Sequence, residues 1–256
     1  MCLLVLAWQS HDEYPLVFAG NRDERHARAT AAASFWSDTP EILGGRDLEA
    51  GGTWLGITAG RRFAVVTNFR EGLEPAKALR SRGELPTDFL RGRVSPAEYA
   101  RDLARRGSDY GGFSFLCSNA ASLWFCSNRG DGAYEVAPGV HGLSNHLLDT
   151  PWPKVERSKQ RMELLLERDS LSSGALFRLL ADREPAGDDE LPDTGIGRDL
   201  EKRVSAPFVV NPVYGTRCSS VLRSQMDGGQ YFAERRFDAA GETLETRHFQ
   251  LGATAP

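Results

Sequence analysis

The sequence predicts an α+β fold in which antiparallel sheets are stacked between helical layers. Three observations carry this expectation. Apolar runs of strand length arrive in pairs joined by short polar turns, as with Cys2–Gln9 and Leu16–Gly20 around Ser10-His11-Asp12-Glu13-Tyr14-Pro15. Helical signals fall in two blocks rather than after every strand, so a parallel doubly wound sheet is disfavoured. Strand signals also close the chain, at Gln230–Phe237 and Thr243–Gln250.

The elements follow in order. After the first hairpin comes the polar cluster Asn21-Arg22-Asp23-Glu24-Arg25, expected as a segment leaving the second strand beside the N-terminus. Residues 26–52 read as irregular, because Gly44-Gly45 and Gly51-Gly52 mark tight turns or close backbone approach. Thr53–Thr58 and Phe63–Thr67 form a second expected hairpin, ending in Asn68-Phe69-Arg70-Glu71. Helices are expected over Pro86–Leu90 and Pro96–Arg106; Ser95 stands at the N-cap, Pro96 at the first helical position and Glu98 at the capping-box position. Strands resume at Gly112–Cys117, Ser122–Cys126, Tyr134–Val136 and Val140–Ser144, the last followed by Asn145. Lys154–Glu167 and Ala175–Leu180 read as amphipathic helices, with Leu164, Leu165 and Leu166 crossing the apolar stripe. Residues 183–199, rich in Asp, Pro and Gly, read as a flexible surface loop. The small-polar run 214–222 precedes the last two strands.

Composition narrows the class. At 256 residues, 41% of them hydrophobic, the chain can bury a substantial core, and one domain over 1–256 is expected. Thirty-five acidic residues against 31 Lys and Arg give net −4, with no basic stripe carrying interleaved aromatics, so nucleic acid is not an expected partner. The longest apolar run ends at Trp8, far short of the roughly 20 residues that span a bilayer. It also lacks the basic start and cleavage site of a secretory signal, so a cytoplasmic location is expected. The cysteines at 2, 117, 126 and 218 show no CxxC spacing, so neither a zinc site nor disulfides are expected, and no cofactor is implied.

The chemistry points to Cys2. Removal of Met1 would leave one residue carrying both a thiol and a free amine, whose ordinary pKa values lie near 8.5 and about 8. The amine then serves as local base for the thiol, the N-terminal form of an activated nucleophile. The alternative is a small apolar residue opening a buried strand. Arg22 or Arg217 would favour the thiolate by Coulomb attraction. Asp23 would orient the amine, and Asn68 or Asn145 would donate to a developing oxyanion. Arg22-Asp23 can equally be a structural ion pair, Asn68 and Asn145 turn residues, and Arg217 a surface charge. His141 and His146 are expected to be structural, Cys218 to be buried or to face the site, and Phe35, Trp36 and Trp54 to be core or pocket wall.

Met1-Cys2, Asn21-Arg22-Asp23-Glu24, Gly51-Gly52-Thr53-Trp54-Leu55-Gly56, Thr67-Asn68-Phe69-Arg70, Gly142-Leu143-Ser144-Asn145 and Tyr214-Gly215-Thr216-Arg217 together resemble the NRDE family, the transport-and-Golgi-organisation group. That family in turn resembles N-terminal-nucleophile hydrolases of the penicillin acylase and bile-salt hydrolase type. The resemblance implies a four-layer αββα sandwich and cleavage of amides. It implies Cys2 as nucleophile, Arg22 and Asp23 as the Arg/Asp pair, Asn68 and Asn145 as the two Asn, and Arg217 as a late Arg bracing the Cys. Those hydrolases usually carry Gly-Arg-Asn-x-Asp after the second strand. Counting from Gly20 would instead put Glu24 at the Asp position and Asn21 at the Arg position. The expected activity is a Cys2-dependent amidohydrolase or acyltransferase on a small amide or thioester. The alternative is a non-catalytic protein of the same fold that handles haem, acyl-CoA or other lipids, with Cys2 or His26 as a candidate axial ligand.

Overall fold

Strand β1 (Cys2–Trp8) is buried along its whole length, and a strand apolar on both sides belongs inside a sheet covered on both faces. The computed structural model describes residues 2–72 and 78–252. The next strands are β2 (Leu16–Arg25), β3 (Thr30–Phe35), β4 (Ile42–Asp47), β5 (Leu55–Thr58) and β6 (Phe63–Asn68). Helices α1 (Glu84–Arg91) and α2 (Pro96–Arg106) precede β7 (Phe113–Ser118), β8 (Leu123–Ser127), β9 (Gly132–Glu135) and β10 (Gly139–Leu143). Then come α3 (Pro153–Glu167), α4 (Ser173–Leu180), the short α5 (Arg198–Arg203), β11 (Tyr214–Ser224), β12 (Gln230–Phe237) and β13 (Thr243–Leu251).

The strands form two antiparallel sheets. One has the order β10-β1-β2-β11-β12-β13, and the other is the meander β3 to β9. Three separate apolar cores define four layers. Leu4, Leu6, Phe18, Leu55, Val65 and Phe125 fill the space between the sheets. Val5, Ala19, Met162 and Leu176 join α3 and α4 to the outer face of the first sheet. Phe89, Leu103 and Phe115 join α1 and α2 to the outer face of the second. The expected αββα sandwich is therefore the architecture of the chain. Helix α2 starts as its sequence requires: Ser95 Oγ accepts from the Glu98 amide at 3.2 Å, and Glu98 Oε2 accepts from the Ser95 amide at 3.0 Å.

Some segments depart from expectation. The cluster at 21–25 does not leave the second strand but extends it, because β1 on one side and β11 on the other satisfy its backbone. Residues 26–52 contain β3 and β4. There Gly44 is not a turn residue: a Cβ would lie 2.6 Å from the Leu55 carbonyl oxygen, so glycine admits the neighbouring strand. Leu164 is 46% exposed rather than part of a stripe, and α3 packs through Val155, Ser158 and Met162. The 183–199 segment buries Ala186 and Ile196 and carries a 3₁₀ turn at Asp188–Glu190.

Candidate active site

The register of β1 on β2 places Cys2 directly across from Arg22, and the register of β2 on β11 places Cys218 on the other side of Arg22. Cross-strand partners share a face, so the two thiols and the Arg22 guanidinium face the space between the sheets. Asn21 pairs with Leu3 on the opposite face, where its amide donates to the carbonyls of Leu180 and Pro207, each at 2.9 Å. Arg22, and not Asn21, is the residue that stands beside Cys2. Met1 lies outside the described residues.

Asn145 anchors Cys2. It follows β10 in the left-handed region at φ 55° and is fully buried. Asn tolerates that conformation better than most residues. Its Oδ1 accepts from the Cys2 backbone nitrogen at 3.2 Å. Its Nδ2 donates to Asn68 Oδ1 at 2.8 Å and to the Asn68 carbonyl at 3.2 Å. Ser144 Oγ donates to the Cys2 carbonyl at 3.0 Å. With its Oδ1 accepting from Asn145, the Asn68 side chain turns its own amide donor away from Asn145; Asn68 lines the cavity at Cys2.

Asp23 points to the helical side of the sheet, as strand alternation demands. Its Oδ1 accepts from Thr216 Oγ1 at 2.7 Å, and its backbone carbonyl accepts from Tyr214 Oη at 2.9 Å. Beyond it lies a buried charge cluster. Lys154 Nζ donates to the Val204 carbonyl at 3.0 Å, and Arg70 pairs with Glu201 while stacking 4.8 Å from the Trp152 ring centre. Burial lowers Lys154 to about 7, helped by Arg70 and opposed by Asp23 and Cys2. Burial likewise raises the Asp23 carboxyl, against the pull of Lys154, Thr216 and Arg70. It also raises the Cys2 thiol, which Arg22 lowers and Asp23 raises further.

Cys2 opens onto a cavity of about 460 Å³ between the sheets, within the range of small-molecule sites. Trp54 and Val66 supply an apolar wall. Cys218, a cavity residue, lies beside Glu234, whose Oε1 accepts from the Ala33 amide at 2.7 Å. Arg217 occupies the bulge where the β2–β11 register shifts between Thr216 and Cys218. It lines the cavity, and Nη1 donates to the carbonyls of Arg25, His26 and Arg28 at 2.8, 3.1 and 3.2 Å. It braces the segment after β2, whereas the sequence suggested a brace on Cys2 itself. Glu24 lies 3.6 Å from Arg22 and 3.8 Å from Arg28.

Of the aromatics, Trp54 lines the cavity, Trp36 is core and Phe35 is half exposed. His141 bonds Asp149 at 2.7 Å and His146 bonds Thr150 at 2.8 Å. His26 Nε2 is engaged by the Asn211 carbonyl at 3.0 Å, outside the cavity lining. Among the described residues no group of His, Cys, Asp and Glu is arranged to hold a metal ion, and all four cysteines are free and buried. Sequence reasoning missed Ser144, Lys154, Glu201, Glu234 and Arg82. Of these only Ser144 had a local signal, its place in Gly142-Leu143-Ser144-Asn145.

Two antiparallel sheets between helical layers, with a cysteine at the start of a central strand, give the architecture of N-terminal-nucleophile hydrolases. A Caenorhabditis elegans N-acylethanolamine-hydrolyzing acid amidase ortholog superimposes with a TM-score of 0.51 over 86% of this chain and 92% of its own. The two share 9% identity, so the likeness is one of fold. The sequence is more specific. Residues 1–239 match the family model Transport and Golgi organisation 2. The chain is 34% identical to the Transport and Golgi organization protein 2 homolog of Bos taurus, over 98% of this chain and 99% of that one. It is 33% identical to the Homo sapiens homolog over the same shares, 98% and 99%. The chain belongs to the Transport and Golgi organisation 2 family.

Proposed function

We infer that the chain is a Cys2-dependent amidohydrolase or acyltransferase acting on a small amide or thioester. The observation that carries this reading is the clamp of Asn145 on the Cys2 backbone nitrogen at 3.2 Å, next to a cavity that Cys2 itself lines. Removal of Met1 converts that nitrogen into an α-amine already held in place. The amine takes the thiol proton, and the sulfur attacks the acyl carbon. A C–S bond forms as the carbonyl π pair moves to oxygen. The oxyanion then re-forms the carbonyl and expels the amine or thiol, which leaves with the proton from the α-ammonium. Water or a second nucleophile cleaves the thioester and frees Cys2.

The other residues take roles set by their positions. Both Asn145 Nδ2 bonds go to Asn68, so Asn145 is a positioning residue and oxyanion donation falls to Asn68. Arg22, directly across from Cys2, stabilises the thiolate that burial disfavours. Asp23, fixed by Thr216 on the helical side of the sheet, is placed to orient the N-terminal amine.

The test is intact mass of untagged protein followed by exposure to an acyl p-nitroanilide. The expected result is loss of one methionine, then a mass gain of one acyl group on the N-terminal peptide that Cys2→Ala eliminates. Retained Met1, or acylation that persists in Cys2→Ala, overturns the mechanism. Retained Met1 would favour the alternative, a binding or trafficking protein for haem or acyl lipids; with His26 tied to Asn211, Cys2 would then be the candidate axial ligand.

A further inference from the structure

Six arginines line the cavity at Cys2: Arg22, Arg28, Arg80, Arg82, Arg217 and Arg236. Three of them are matched by carboxylates. Arg28 has Asp47 at 2.8 Å, Arg80 has Glu84 at 2.6 Å and Arg236 has Glu245 at 2.8 Å. Arg22 has Glu24 only at 3.6 Å. Arg82 and Arg217 have no carboxylate within 4 Å among the described residues; backbone carbonyls hold them instead. Arg82 Nη1 donates to the Gly112 carbonyl at 2.9 Å, and Arg217 Nη1 to three carbonyls at the end of β2 and just beyond it. A carbonyl orients a guanidinium but leaves its charge uncancelled.

The remaining acids do not make up the difference. Asp23 borders the cavity but its Oδ1 is bonded to Thr216, Glu24 draws on Arg82 and Arg217 only from beyond ion-pair distance, and burial holds the Glu234 carboxyl above the usual carboxylate range. Arg217 titrates below its ordinary value, first through burial and then through repulsion by Arg22 and Arg236. An acidic chain of net −4 thus concentrates unmatched positive charge in one half-enclosed space. Low-dielectric walls focus such a field and strengthen its pull on an anion. Across the cavity, Trp54 and Val66 offer apolar surface.

We propose that the cavity selects an anionic acyl compound, a carboxylate or phosphate of which is held by Arg82 and Arg217 while its acyl chain lies on Trp54 and Val66 beside Cys2. This specificity rests on the acyl-Cys2 reading for its consequence, although binding itself requires no turnover. Arg82 and Arg217 become the residues that decide which acyl compounds enter.

The test is calorimetric titration of the Cys2→Ala chain with three probes sharing one acyl group: N-octanoylglycinamide, N-octanoylglycine and N-octanoyl-phosphoethanolamine. One of the two anions is expected to bind at least about tenfold tighter than the neutral amide, the size expected for a charge-assisted hydrogen bond. Which anion wins separates carboxylate from phosphate. The advantage is expected to shrink with added salt, to be largely lost in Arg82→Gln and Arg217→Gln, and to return in Arg82→Lys. Equal binding of all three probes, failure of both anions to bind, or an advantage that survives both arginine variants overturns the proposal. Anion preference without acylation of the wild-type chain would instead refute the acyl-Cys2 reading and leave this one standing.

Discussion

Cys2 is held by its backbone, and that decides which neighbouring substitutions affect chemistry and which affect folding. On the acyl-Cys2 reading, Asn68→Ala removes the proposed oxyanion donor, so acylation is expected to slow by ~10²–10³ with little change in unfolding free energy. Asn145→Ala removes the clamp and places alanine in the left-handed region, so it is expected to lose stability and activity together; paired denaturant and acylation measurements distinguish the two variants. Behind Cys2, Glu201 accepts from Arg70 and from the Thr194 amide and hydroxyl. Glu201→Gln leaves a buried guanidinium without its anion, and urea denaturation is expected to show a loss of about 3–5 kcal/mol. Lys154 gives a pH signature. Its folded value is about 7 and its ordinary value 10.5, so between these the unfolded chain binds more protons and stability rises with pH. Below pH 7 both states are charged and the contribution is constant. Lys154→Met is expected to flatten the rise between pH 7 and pH 10 in denaturation midpoints.

At the scale of elements, paired strands and capped helices were the most legible features. The apolar run of β1, the hairpin pairs, and Ser95-Pro96-x-Glu98 at the start of α2 follow from local chemistry, which the structure repeats. Local chemistry failed where a residue answers to a distant neighbour. Gly44 and Gly45 look like a turn because nothing nearby shows that β5 will pass against Gly44 and β3 against Gly45. Asn21 to Arg25 look like a segment that has left the strand because their backbone partners on β11 lie about 190 positions away, beyond the reach of local patterning. Of the site, Cys2, Arg22, Asp23, Asn68, Asn145 and Arg217 could be picked out by type and motif. That Cys2 and Arg22 share one face of their sheet required the register, and the contacts of Lys154, Arg82 and Glu234 required the fold. Gly44→Ala tests the close approach: a Cβ 2.6 Å from a backbone oxygen has no flexible neighbour to displace. A loss of about 1–3 kcal/mol is expected in thermal or urea unfolding.

For the whole molecule, the site is assembled from every part of the chain. Cys2 and Arg22 come from the first hairpin, Asn68 from the end of β6, Asn145 from the turn after β10, and Arg217 from a bulge in β11. The central sheet joins the first two strands to the last three, and the Thr216–Asp23 hydrogen bond closes a separation of 193 positions. This closure has a consequence for synthesis. The hairpin of β1 and β2 leaves the ribosome first, yet one long edge of β2 finds its partner only after β11 has emerged. During that interval a very apolar ribbon stands with an open edge, the kind of surface that attracts strand pairing between nascent chains. A product that ends before β11 keeps that edge of β2 open and cannot close the sheet.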